Sequence, residues 1–249
     1  MQLVKTEDRG AVRHIVLNRP EKRNSFNAEL VDATGDALRA AADDASVRVV
    51  VLRGEGPVFS SGMDVKELAS LAGVPERLRE FRRRALGAWN LAEEMTKPTI
   101  AQLHGACMGG AMELALACDL RVIARGTRMS IPEVRLGLVP DVGGSSRLPA
   151  VVGLGIAKEL ILTGREFDAE EAGRIGLANR VVDADQIEAA TEALCVELTT
   201  AFATPVGLAK RLLDAAAKPA LSSTLELEVT AQEVCVAQLS AAMREGAAG

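Results

Sequence analysis

The stretch His104-Gly-Ala-Cys-Met-Gly-Gly-Ala-Met-Glu-Leu-Ala-Leu-Ala-Cys-Asp-Leu120 decides how the rest of the chain is read. Just before it, Pro98-Thr-Ile-Ala-Gln-Leu103 is a short apolar run that reads as a strand. The strand enters a loop of small residues, Gly105, Ala106, Cys107, Gly109, Gly110 and Ala111. The apolar sequence then continues as a helix ending near Cys118, and Leu120-Arg-Val-Ile-Ala124 reads as the next strand. Glycines at such a strand-to-helix turn let the backbone approach a ligand closely, with amide hydrogens pointing outward. The helix N-terminus adds positive potential there, which suits an oxygen gaining negative charge.

One ionisable residue interrupts the helix: Glu113, among Met112, Leu114, Ala115 and Leu116. Its spacing from Gly110 puts the carboxyl and that amide on one helical face. A carboxylate buried there is costly unless it is hydrogen-bonded or neutralised. Such surroundings raise its pKa, a device that acid–base enzymes use. Further on, Ser130-Ile-Pro-Glu133 places a second acid beyond the following strand. Singly, Glu113 fits a helix N-terminal anion effect and Glu133 an ordinary loop acid. The glycine loop, the in-helix Glu and the Pro-Glu together point to a site.

Composition bounds the rest. The 249 residues suit one large domain or a core with a helical appendage, and 48% hydrophobic with 25% charged residues can bury a core and stay soluble. With no Tyr, one Trp and a net charge of −5, the chain lacks both the stacking platforms and the basic footprint of a nucleic-acid binder. The start shows no signal-peptide core and no apolar run reaches membrane-spanning length, so the expected setting is the cytoplasm, without membrane attachment. Cys107, Cys118, Cys195 and Cys235 are scattered, and with only His14 and His104 no metal site is expected. Free thiols are the default.

In order along the chain, Leu3–Glu7 and Val12–Leu17 flank Asp8-Arg-Gly10 and read as a hairpin. Asn18-Arg-Pro-Glu-Lys-Arg-Asn-Ser-Phe-Asn27 is a turn-rich basic connection, and Asn27 caps a helix reaching about Asp44. Val47–Arg53 reads as a buried strand. Gly54-Glu-Gly-Pro-Val-Phe-Ser-Ser-Gly-Met-Asp64 then repeats the passage from strand through small-residue loop to helix, with Asp64 as the cap. Leu71–Met95 reads as helix interrupted at Gly73, Pro75 and Gly87, with a basic face at Arg77, Arg79 and Arg82–Arg84 whose plainest reading is solvated and whose alternative is a place near an anionic ligand. Asp141 precedes Gly143-Gly144, where turn formation and helix capping are its plainest roles. Gly153–Leu162 is helical, Asp168-Ala-Glu-Glu171 opens another helix with a capping box, and Leu177–Val182 is a short strand. Asp183–Thr200, Pro205–Ala217 and Ser222–Arg244 complete a helical C-terminal part.

The set His104-Gly…Gly109-Gly110…Glu113-Leu-Ala…Cys118-Asp119, followed by Pro132-Glu133, resembles the enoyl-CoA hydratase/isomerase (crotonase) superfamily. The likeness runs from Leu17-Asn-Arg-Pro20 to about Glu245. It implies an α/β fold, a crotonase-like spiral of repeated β-β-α units over residues 1–195. Residues 196–249 would form a helical region for oligomerisation and pocket closure, giving a homotrimer or a hexamer built as a dimer of trimers. It also implies an acyl-CoA thioester as substrate, with coenzyme A part of the substrate and no separate cofactor. The amides of Met63 and Gly110 would form the oxyanion hole. Because the donors are backbone groups, the Met63 side chain is free to vary. Glu113 would activate water and Glu133 would carry the proton for the α-carbon, the two titrating as a coupled pair. Arg23, Ser25, Ser61, Gly62, Asp64, Val65, Gly109, Pro132 and Asp141 would line the substrate and CoA path. A C-terminal lysine that meets the CoA phosphate in relatives has no counterpart in Ala247-Ala-Gly249. Hydration of a trans-2-enoyl-CoA is the expected reaction. An isomerase using Glu133 with or without Asp141, and a catalytically weak binding member, are the alternatives.

Overall fold

The computed structural model describes residues 2–71 and 74–246. Its main sheet has six strands in the order β1-β2-β3-β4-β6-β9: β1 (Val4–Arg9), β2 (Val12–Leu17), β3 (Val49–Gly54), β4 (Thr99–Leu103), β6 (Leu120–Ala124) and β9 (Arg180–Val182). β1 and β2 form the expected antiparallel hairpin, and every later pairing in this sheet is parallel. Parallel strands buried on both faces need apolar residues at successive positions, and β3 supplies them. Val50 and Leu52 face one core with Ile15, Ala101, Leu103 and Ile123. Val49 and Val51 face the other with Val12, Ile100, Val122 and Ala124. Each such Val or Leu contributes about 1.5–3 kcal/mol by leaving water.

The larger core is roofed by α1 (Ala28–Asp43), α3 (Pro75–Glu94) and α4 (Gly110–Ala117), the smaller by α8 (Ile187–Thr200). Asn27 caps α1 as read from the sequence, its Oδ1 accepting from Leu30 N at 3.0 Å. Such a cap is worth about 1 kcal/mol. A second, three-stranded sheet, β5-β7-β8, consists of β5 (Ala106–Met108), β7 (Arg128–Ser130) and β8 (Phe167–Asp168). Here β5 pairs with β7 in parallel, and that pairing carries the chain from β4 to the start of α4.

The remaining helices are α2 (Val65–Leu71), α5 (Gly144–Val152), α6 (Leu154–Thr163), α7 (Ala169–Arg174), α9 (Ala203–Ala217) and α10 (Leu221–Gly246), with short 3₁₀ turns at Pro20–Lys22, Glu133–Leu136 and Ala184–Gln186. Residue 195 falls inside α8, while α10 packs on α3 and α5. Among the described residues no helix is long and apolar enough to cross a membrane.

Four readings need correction. The helix read as interrupted at Gly87 runs unbroken from Pro75 to Glu94, because Ala85, Ala88, Trp89 and Ala92 pack into the core on either side of that glycine. The basic face is not wholly solvated: Arg82 is buried, donating from Nη2 to Leu225 O at 2.7 Å. Leu177–Val182 is strand only from Arg180, since the Leu177 and Ala178 amides donate to Ala172 O in closing α7. The residues after Gly143 form a helix, α5, whose N-cap is Gly143, and Asp141 does not cap it. The expectations for Gly73 and for Ala247–Gly249 lie outside the described residues.

Candidate active site

Helix α4 is the centre of the site because of what surrounds it. Every residue from Ala111 to Ala117 is buried, so this short helix is held by packing on all sides. Its start is pinned where Gly109 N donates to Ser130 O at 2.9 Å and where the Trp89 indole Nε1 donates to Gly110 O at 3.2 Å. Trp89 in turn meets Phe26 edge-on, ring centroids 5.0 Å apart. The next amide, Gly110 N, has no acceptor among the described residues.

A second free amide lies nearby. Phe26 N donates to Gly62 O at 2.8 Å and Asp64 N to Phe26 O at 2.9 Å, and between them Met63 N finds no acceptor among the described residues. A methyl group added at Gly62 would stand 3.7 Å from Gly110 N, so the two free donors belong to one small volume. Both residues line an inner cavity of about 260 Å³, walled by Phe26, Leu78, Phe81, Trp89 and Leu138.

Three carboxyl groups face this cavity. Glu113 is buried, and its Oε1 accepts from Val142 N at 3.1 Å and Gly144 N at 2.8 Å. Position 144 must be glycine for that approach, since a methyl there would sit 2.9 Å from Oε1 and 2.8 Å from Pro140 Cβ. Glu133 opens the 3₁₀ turn after Pro132. Its Oε1 stands 2.7 Å from where a methyl on Gly109 would be, so a side chain there would displace it. Its Oε2 is buried with no hydrogen-bond partner among the described residues. Asp141 is the third, with Oδ2 3.7 Å from Arg82 Nε.

Burial sets how these acids hold protons. It pushes Glu113 well above the ordinary carboxylate range, and the neighbouring charges of Glu133, Asp141 and Glu228 add to it. It takes Glu133 up to about 7. It also takes Asp141 to about 7, with Arg82 pulling the other way. An enclosed cavity with two unshared amides and proton-holding acids can stabilise a developing oxyanion while a proton moves to or from carbon.

Outside lies a groove of about 690 Å³ whose lining includes Arg19, Lys22, Ser25, Asp64 and Lys66, and which shares Ser61, Met63 and Val65 with the inner cavity. Asp64 holds this rim together. Its Oδ1 accepts from Lys66 N at 2.9 Å, and its Oδ2 accepts from Arg19 Nη1 at 2.7 Å and from the Ser25 hydroxyl at 3.2 Å. The Arg19 bond chiefly keeps its pKa below the ordinary value.

The structure brings Glu113, Glu133, Gly109, Gly110, Ser61, Gly62, Met63, Val65, Pro132 and Asp141 to the inner cavity and Ser25 and Asp64 to the outer groove. Arg23 lines neither. It sits in a left-handed turn with its side chain exposed, and its carbonyl accepts from Ser61 N at 3.0 Å. Sequence reading missed Trp89, Arg82 and Gln232 in the cavity wall, and Glu228 behind it. For Arg82 a signal existed: Leu78 and Ala85, a helical turn away on either side, put it on the apolar face of α3.

Comparison with known proteins shows the family and the fold. The family model for enoyl-CoA hydratase/isomerase matches residues 7–248. A protein of Rhizobium meliloti named probable enoyl-CoA hydratase is 40% identical over 200 residues, covering 80% of this chain and 76% of that one. The crystal structure of an enoyl-CoA hydratase from Bacillus halodurans superposes with a TM-score of 0.89 at 28% identity, covering 96% of each chain. A structure described as a putative enoyl-CoA hydratase from Thermobifida fusca in complex with CoA gives 0.80 at 31% identity, over 96% of this chain and 95% of that one. The chain belongs to the enoyl-CoA hydratase/isomerase family and has its crotonase fold.

Proposed function

We propose that the chain hydrates trans-2-enoyl-CoA thioesters, giving 3-hydroxyacyl-CoA. In this reading the Met63 and Gly110 amides donate to the thioester oxygen and draw electron density from the conjugated double bond. Water attacks the β-carbon and gives one proton to Glu113. The enolate collapses as Glu133 gives its proton to the α-carbon. Proton exchange between the two carboxyls then resets the pair, so the net change is one water added. The acyl part occupies the inner cavity and the CoA part the outer groove, and no further cofactor is called for.

The observation that carries the reading is the convergence of two unshared amides with Glu113 and Glu133 on one cavity. Incubation with a panel of 2-enoyl- and 3-enoyl-CoA thioesters, with products weighed by mass spectrometry, tests it. Gain of one water on 2-enoyl substrates is expected, and no gain on any of them overturns the reading.

Asp141 favours a second reading, isomerisation of a double bond. A third proton-holding acid on the same cavity supplies a partner to which Glu133 could pass a proton between carbons. Its mark in the same panel is a retention-time shift at constant mass. Assembly as a trimer or dimer of trimers is also proposed, supported by the exposed Phe202, Leu208, Leu212 and Leu213 on and beside α9. A monomer alone in sedimentation at micromolar concentration would contradict it.

A further inference from the structure

The turn Val142–Ser146 gives its amides alternately to two buried carboxylates on opposite sides. Val142 N and Gly144 N donate to Glu113, on α4. Gly143 N donates to Glu228 Oε2 at 2.9 Å, and Ser146 N and the Ser146 hydroxyl donate to Glu228 Oε1 at 2.8 and 2.6 Å. Glu228 lies on α10, far along the chain, and is as deeply enclosed as a core residue. The N-cap of α5 is Gly143, which has no side chain to cap with, so the Gly143, Gly144 and Ser146 amides of this helix start find their acceptors in these two glutamates. One helical turn further along α10, Gln232 Oε1 accepts from Val139 N at 3.0 Å and its side chain reaches the cavity wall. The stretch that orients Glu113 is thus itself held from α10.

We propose that Glu228 is a positioning residue: by holding Gly143 and Ser146 it keeps the Val142 and Gly144 amides aimed at Glu113 and keeps the Glu113 carboxyl facing the cavity. It never touches the substrate. Without it, the Gly143 and Ser146 amides lose their acceptors beside Glu113, the carboxylate that already accepts from Val142 and Gly144. They then compete for Glu113 and draw it toward α5. The charged surroundings of Glu113 are Glu133 and Asp141 across the cavity, Arg82 from α3 beside Asp141, and Glu228 from α10 with Arg147 from α5 near it. Removing the Glu228 charge takes away a like charge while adding donors, and both changes lower the proton affinity of Glu113.

The inference rests on the water-activating role given to Glu113, and its test separates the two. Glu228→Gln keeps the size of the side chain and one acceptor but loses the charge and the second acceptor. Glu233→Gln, elsewhere on the same helix and paired with Arg79, is the control for helix docking. The measurements are kcat and KM for 2-enoyl-CoA hydration, the pH profile of kcat, and deuterium uptake by the 139–147 segment in the free protein. For folded Glu228→Gln we expect faster uptake in that segment and a fall in kcat of about 10- to 100-fold, the scale of a small misplacement. KM should change by less than about threefold, since ground-state binding is untouched. The acidic limb of the profile should move to lower pH, and Glu233→Gln should change none of these. Uptake, kcat and acidic limb all at their wild-type values in Glu228→Gln overturn the proposal. If Glu228→Gln does not fold, Ser146→Ala, which removes one donor to Glu228, must show the same changes in smaller measure, and its failure to do so overturns the proposal equally. A wild-type protein that hydrates nothing removes the hydratase reading, while deuterium uptake still decides whether Glu228 holds the turn.

Discussion

Two passages of this chain run from a parallel strand through a small-residue loop into a helix, and each ends with one free amide on the same cavity. They are built in opposite ways. The passage from β4 to α4 has no side-chain cap, and α4 from Ala111 onward is wholly buried, so packing holds Gly110 in place. The passage from β3 to α2 ends in a helix of seven residues with only Leu71 buried, and Val65 beside the cavity is 80% exposed. What holds Met63 there is hydrogen bonding: backbone bonds to Phe26 on either side of it, steadied at the rim by a handful of polar bonds centred on Asp64. A helix of either length is too short to form alone in water, so each is only as firm as what surrounds it. One donor is therefore fixed by the core and the other by the rim, and substitutions on the two sides should separate.

The largest effects belong to the carboxyls on the core side. Glu113→Gln and Glu133→Gln should each reduce hydration by about 10²-fold or more, the usual acid–base contribution, measured as kcat on the best enoyl-CoA substrate. Near-wild-type turnover in either would remove that residue from the mechanism. Glu133 carries a pH signature as well. Its proton is held up to about 7, and the proposed step needs that proton, so the wild-type rate should fall as pH rises through about 7. Stability follows the same sign: between the ordinary carboxylate value and about 7 the folded state binds the extra proton, so rising pH destabilises it across that window. Urea unfolding should show Glu133→Gln losing this slope while gaining stability relative to wild type at about pH 8.

Next comes Gly110→Pro, which deletes the core-held donor outright. Proline suits the first position of a helix, and Gly109, at φ 53° and ψ −126°, has the mirror-image extended backbone that glycine alone adopts readily before it. Folding should survive, and kcat should drop by about 10²- to 10³-fold, the loss seen when one oxyanion donor is removed. Gly110→Ala keeps the amide, and its methyl would meet nothing nearer than Glu113 Oε2 at 4.0 Å. It should therefore lie between wild type and Pro. A folded Pro variant as fast as wild type would break the comparison on its core side.

On the rim, Asp64→Ala removes the cap of α2 and the partner of Arg19 together. The cap alone is worth about 1 kcal/mol. The donor it supports is not deleted, only less firmly held, so a fall of about tenfold in kcat/KM is expected, smaller than for Gly110→Pro. A loss equal to that of Gly110→Pro would show that the rim is as decisive as the core.

The core passage was the legible one, and the difference in construction explains why. A buried strand, a glycine loop and an apolar helix with one Glu leave their mark in consecutive residues, so β4, α4, β6 and Glu113 were all readable from Pro98–Ala124. The capping residues Asn27, Asp64 and Asp168 were readable for the same reason, since each acts on an amide two or three residues away. What could not be read is whatever acts across the chain. Val142 and Gly144 hold Glu113, and Glu228 holds the turn they sit on, over separations that leave no local pattern. Arg82 was hidden among neighbours of like charge that do face water, and α5 was masked by its N-cap Gly143, by Gly144 and by Pro149.

The smallest effect should come from Met63→Leu, although Met63 is proposed to supply one of the two oxyanion donors. The expectation turns on which atom does the work. Met63 offers its backbone N–H, held by the bonds on either side of it from Phe26 N to Gly62 O and from Asp64 N to Phe26 O, and neither involves the side chain. Leu has nearly the volume of Met and no β-branch, so it leaves the backbone where it was, and such exchanges usually cost under about 1.5 kcal/mol in stability. The thioether does pack against the core and lines both the groove and the cavity, so substrate binding is where a change would register. We expect kcat within about twofold of wild type and a KM change of no more than a few-fold, the pattern of altered ground-state contact. A loss of kcat approaching that of Gly110→Pro would mean that the Met63 side chain, not its amide, is what the site uses, and the pairing of a core-held with a rim-held donor would then fail at its second member.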